Sequence, residues 1–71
     1  MEAVLEAELI ERLLSAMPEL YREALILRHQ EGLDYAQIGQ VLQLPEGTVK
    51  IRLFRAREMF KRKLEAVGVG P

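Results

Sequence analysis

The chain has no cysteine, which removes both a disulfide framework and a thiolate metal site as braces for a small core. It has a single histidine and a single serine. No paired carboxylates, no nucleophile with a base and no glycine-rich phosphate loop can be assembled around them, so no enzyme, no catalytic or metal site and no cofactor is expected. No apolar run approaches the length of a membrane span, and the opening "MEAVLEAELIERLL" is acidic where a signal peptide would be basic. The expectation is a cytoplasmic protein with no membrane partner. Glycine and proline are sparse, at five and three, which fits a helical domain better than a disordered tail.

What the chain does have is 49% apolar and 30% charged residues in a length of 71. That is one domain at most, with a core yielding roughly 3–5 kcal/mol of net stability. A net charge of −1 hides an asymmetry. Residues 1–34 carry eight acids and three bases, whereas residues 35–71 carry three and seven. Such a split suggests a polyanion partner at one end, although solvated helix faces alone can produce it.

Apolar residues Leu5, Leu9, Ile10, Leu13, Leu14 and Met17 recur at helical spacing and predict a first helix over Glu2 to Met17. Pro18 and Glu19 suit the opening turn of a second helix, because proline tolerates that position and an acid suits the positive end of the dipole. This helix is expected to reach about Glu31 and stop at Gly32. Its apolar set, Leu20, Ala24, Leu25, Ile26 and Leu27, is too wide for one narrow stripe and predicts a central spine packed on more than one side. His29 reads as a residue favoured by the dipole at this helix's C-terminal end, rather than as a metal ligand or base. Ser15 reads as a helix-end residue.

In "GLDYAQIGQVL", Asp34 is an N-cap, Gln37 its capping-box partner, and Leu33 can staple onto Ile38. A short third helix is expected from Tyr35 to near Leu42. A fourth begins at about Pro45 or Glu46 and runs to about Ala66. The fold class is therefore all-α: four helices ending in a helix-turn-helix, with residues 1–67 as a single domain and 68–71 as a flexible tail. Gly39 leaves room for a close helix crossing. Gln43 sits where such turns favour glycine, so either it costs up to about 1 kcal/mol or the turn has another shape.

On a 3.6-residue wheel the fourth helix turns Val49, Leu53, Ala56, Phe60 and Leu64 to the core. Lys50, Ile51, Phe54, Arg55 and Arg62 face elsewhere. An outward Ile and Phe among cations would be wasted on a solvated face, but thymine methyls and sugar edges in a DNA major groove accept such contacts. A short capped helix, a tight turn and a basic helix together favour DNA binding over the plainer reading of a wet helix face.

The run "LPEGTVKIRLFRAREMFKRKL", together with "ALILRHQEGLDYAQIGQVLQ", resembles region 4 of bacterial sigma-70-type factors, in particular the extracytoplasmic-function (ECF, group IV) branch. The matching pattern has an L-P opening, here Met17-Pro18, then R-x-x-x-x-L-R, G-L-[SD]-Y-x-x-I and P-x-G-T-V-K-x-R-L-x-R-A-R. It covers about Met17 to Leu64. The resemblance implies binding of double-stranded promoter DNA at the −35 element, with the domain's other surface holding the β flap of RNA polymerase or an anti-sigma factor. Carried over position by position, it places Lys50, Ile51, Phe54 and Arg55 at base edges and nearby backbone, and Arg28 and Tyr35 at phosphates. Thr48 and the amides around it can address a phosphate. Arg52 and Arg57 serve the DNA backbone or pair with Glu58 and neighbouring acids. Ile51 stands at a position often small and polar in the family, Ala36 where an acid is frequent and Gln43 where glycine is usual, so the preferred sequence should differ. Nothing resembles region 2. A monomer is expected on DNA; a dimeric LuxR-like regulator and a protein-interaction module that reads no DNA are the alternatives.

Overall fold

A computed structural model of the chain describes residues 2–68, with side chains from Ala7 onward. Four helices follow one another: α1 (Glu2–Ser15), α2 (Glu19–Leu25), α3 (Tyr35–Leu42) and α4 (Glu46–Ala66). The architecture is all-α, and the described residues contain no strand.

α1 closes at Ser15, whose hydroxyl donates to the Glu11 carbonyl at 2.9 Å. Its stripe buries Leu13, Leu14 and Met17, leaves Leu9 half-buried and exposes Ile10; the Leu5 side chain lies outside the described residues. Pro18 stands just ahead of α2 with an extended ψ of 141°, and its carbonyl takes the amides of Tyr21 and Arg22, both at 3.0 Å.

The second helix is not uniform, contrary to expectation. After Leu25 it widens into a π-helical turn over Ile26–Gln30, with the Glu31 amide reaching back five residues to the Ile26 carbonyl at 3.1 Å. The widening begins within the consecutive apolar run Leu25-Ile26-Leu27, of which Leu25 is buried and Ile26 and Leu27 are half-buried. Gly32 ends it at φ 71°, and the Leu33 amide then bonds the Leu27 carbonyl at 3.0 Å. A left-handed residue at this place is the usual stop for a helix, and glycine adopts it without strain.

The capping box is complete: Asp34 Oδ1 accepts from the Gln37 amide at 2.8 Å, and Gln37 Oε1 accepts from the Asp34 amide at 2.9 Å. α3 ends in a turn whose left-handed residue is Gln43, at φ 57° and ψ 51°. The turn therefore keeps the shape that glycine would favour. Gly39 is required by this turn more than by a helix crossing. Its carbonyl takes the Leu44 amide at 2.8 Å, and a Cβ placed on it would meet the Leu44 carbonyl oxygen at 2.7 Å, with Val49 Cγ2 at 3.8 Å.

α4 packs most extensively on α2, then on α3 and α1. The core is Leu14, Met17, Ala24, Leu25, Ile38, Val49, Leu53 and Ala56, and Ile38, Leu53 and Val49 are its largest fully enclosed side chains. The central role expected of the second helix is met by Ala24 and Leu25 inside, with Ile26 and Leu27 half-buried beside them and Tyr21 added to the packing, but Leu20, expected in the same set, is exposed. Phe60 and Leu64, expected in the core stripe of α4, are only half-buried. Among the described residues the core holds no polar or charged side chain. Val67 and Gly68 form a closing turn; the rest of the expected tail, from Val69, lies outside the described residues.

Candidate nucleic-acid interface

α4 is sealed on one side of its first half and open on the other. Val49, Leu53 and Ala56 are wholly buried, which fixes the rotation of the helix about its axis. The same turns hold Lys50, Ile51, Phe54 and Arg55 out in solvent, with Thr48 and Arg52 half-buried at the flank. The outward set expected from the wheel is the one observed. Thr48, Ile51, Arg52 and Arg55 border a shallow concavity whose far wall is Leu20 and Tyr21 of α2.

Two helix N-termini lie beside this face. Pro45 precedes α4 without any side-chain cap, and the first intrahelical bond runs from the Val49 amide to the Pro45 carbonyl at 3.1 Å. The amides of Glu46, Gly47 and Thr48 thus have no partner inside the helix. In α3, Asp34 takes the Gln37 amide and its carbonyl takes that of Ile38 at 2.9 Å. Tyr35 and Ala36 are left with amides that face out of the helix end. Such ends favour anions.

Three predicted residues from three separate elements come together at Tyr35. The Arg28 guanidinium, from the π-helical turn, lies 5.5 Å from the centre of the Tyr35 ring, and the Lys50 ammonium, from α4, lies 5.8 Å from it. Both distances suit cation–π attraction. Arg28 also donates through an Nη to the Leu33 carbonyl at 2.9 Å. It therefore ties the end of the second helix to the entry of α3, a structural task that sequence reasoning did not supply.

A second feature lies towards the C-terminal end of α4. Ile10 and Leu14 of α1, Leu25 and Ile26 of the second helix, and Phe60 and Leu64 of α4 line an apolar groove of about 310 Å³, with His29, Arg57 and Lys61 on its rim. Arg57 faces this groove and so stands apart from the outward set of Lys50 to Arg55. His29 is held below its ordinary pKa, first by partial burial and then by the charges of Arg57 and Arg28. This opposes the effect expected of a helix C-terminus, because two cations and desolvation outweigh the dipole. The groove was not anticipated; its one sequence signal is Ile10, an apolar residue at the edge of the α1 stripe.

Residues 7–60 match the family described as sigma-70, region 4. The chain belongs to the sigma-70 region 4 family. Its relatives place it in the ECF branch. It is 45% identical over 49 residues to the ECF RNA polymerase sigma-E factor of Haemophilus influenzae, covering 69% of this chain and 26% of that protein. It is 45% identical over 56 residues to the RNA polymerase sigma-H factor of Pseudomonas aeruginosa, covering 79% and 29%. With the ECF RNA polymerase sigma-E factor of Escherichia coli it shares 38% over 58 residues, covering 82% and 30%. The region 4 domain thus spans less than a third of the length of these relatives. Its α3–turn–α4 unit is a helix-turn-helix, the layout in which the second helix lies in the major groove. Among the described residues no helix is long and apolar enough to cross a membrane, and no group of three or more acidic or histidine side chains could hold a metal ion.

Proposed function

We propose that this region 4 domain binds the promoter −35 element by laying the first half of α4 in the major groove, as the DNA-reading part of a sigma factor that directs RNA polymerase in transcription initiation. The carrying observation is the outward face of α4. Lys50, Ile51, Phe54 and Arg55 stand in solvent on the turns whose inner side, Val49, Leu53 and Ala56, is completely enclosed. Lys50, Arg52 and Arg55 supply charge to phosphates or forks to guanine, and Thr48 with the uncapped amides around it supplies a phosphate seat. Arg28 and Tyr35 act at the backbone on the α3 side. The role is binding, not catalysis, and the domain works in the cytoplasm as a monomer on DNA.

One module of this kind buries roughly 600–1,000 Å² of protein surface, so the isolated domain binds weakly and with strong salt dependence. The apolar groove supports a second contact. It suits an amphipathic helix laid along it, and we assign it to the polymerase β flap or to an anti-sigma factor that competes for the same surface.

The test is an amide chemical-shift titration with short duplexes at low salt, repeated on the Lys50→Ala, Arg55→Ala double variant. Shifts are expected at Arg28, Tyr35 and Thr48 to Arg57. The double variant should keep its fold, lose most of its affinity and show a log–log salt slope smaller by up to about 1.8, the full value applying if both residues sit on phosphates. Unchanged binding by the double variant would sink the reading of α4 and leave the groove as the functional surface.

A further inference from the structure

Ile51 and Phe54 are 57% and 65% exposed on the face of α4 that carries its cations. They stand three residues apart and are therefore neighbours on the helix surface. The inner side of these turns is already closed by Val49, Leu53 and Ala56, so the core has no use for either side chain. Lys50 and Arg55 flank the pair in solvent, and Arg52 lies at its edge. The charge of the surroundings selects a polyanion as the occupant of this face. Within a DNA major groove, the apolar feature at the base edges is the methyl group at C5 of thymine. Neither Ile nor Phe has a side-chain donor or acceptor, so at these two positions hydrogen bonding cannot choose the base. Three residues advance a helix by about 4.5 Å, close to the roughly 3.4 Å between base pairs.

We propose that Ile51 and Phe54 are specificity-determining residues that read pyrimidine C5-methyl groups on neighbouring base pairs. The proposal rests on the reading of α4 as the DNA-contacting helix. What is recognised is the methyl group and not thymine as a whole. A 5-methylcytosine carries its methyl at the same carbon, so methylation of a cytosine placed under this pair strengthens binding. The domain thereby gains a sensitivity to cytosine methylation at its target.

The experiment begins with selection of bound duplexes from a random pool at low salt, using the whole chain. Each thymine of the selected duplex is then replaced singly by uracil, which removes only the methyl. Two neighbouring positions should each lose about three- to fourfold in affinity, the change expected for one buried methyl-sized group, while other positions should not change. Ile51→Ser should abolish the loss at one of these positions and Phe54→Ala at the other. Both sites are exposed, and an unaltered thermal midpoint checks the fold. Placing cytosine at either position and methylating it at C5 should restore a similar factor. Selected duplexes that tolerate uracil everywhere, or that lack thymine, would overturn methyl reading while leaving α4 as the DNA-reading helix. Failure to enrich any sequence, with no α4 shifts on titration, would overturn both.

Discussion

The two halves of α4 share one continuous helix but differ in how their inner side is closed. In the first half Val49, Leu53 and Ala56 are completely enclosed. In the second, Phe60 and Leu64 are half-buried and open onto the groove shared with α1. On the function proposed above, a surface that reads a rigid duplex needs side chains fixed in rotation, which the sealed inner face supplies, and a surface that receives another protein needs apolar area still exposed, which the incomplete closure leaves.

Leu53→Ala attacks the sealed half. It should cost about 2–5 kcal/mol, comparable with the whole net stability of a domain this small, and should abolish a cooperative thermal transition. Phe60→Ala in the open half should cost only about 1.5–2.5 kcal/mol, about half the fully buried value, and leave a folded domain. Denaturant titrations of the two variants check the order; equal losses would erase the distinction between the halves.

Gly39→Ala comes next, at about 1–3 kcal/mol, because its Cβ would sit 2.7 Å from the Leu44 carbonyl oxygen. The displaced turn should also rotate α4 relative to α3, so DNA-induced shifts at Lys50 and Tyr35 should weaken more than the stability change alone explains. A normal DNA response in a destabilised variant would show that the turn serves stability alone.

The smallest effect concerns the groove. His29 is held below its ordinary pKa of 6.5 in the folded state, so below about pH 6.5 the unfolded chain binds more protons than the folded one. Its contribution to stability is therefore present above that pH and is lost as pH falls through the folded pKa. Thermal midpoints measured between about pH 7.5 and 5.5 should fall slightly, and His29→Gln should flatten the fall. A variant with the same pH response would place the titrating group elsewhere.

Much of this arrangement is legible in the sequence because its signals are local. The capping box of Asp34 and Gln37, the stop at Gly32 and the opening prolines of α2 and α4 each depend on residues within one turn. The outward set on α4 follows from helix periodicity. The widened turn over Ile26–Gln30 is not legible, because no residue type marks a π-helical turn and the apolar run admits an ordinary helix equally well. The groove and the depressed pKa of His29 depend on Arg57 and Phe60, far along the chain. The bond from Arg28 to the Leu33 carbonyl is equally invisible, because no residue pattern marks a side chain that reaches past the helix end to a loop carbonyl.

Gln43 holds a left-handed backbone without being glycine, and this has a consequence for how the chain finds its fold. A glycine there would relax the native turn but would let the unfolded chain wander through more conformations before α3 and α4 meet. With a side chain present that wandering is narrower, and the contact to be closed, from Leu44 back to Gly39, is only five residues long. Short-range contacts of this kind form quickly. The turn of the helix-turn-helix is therefore suited to close early.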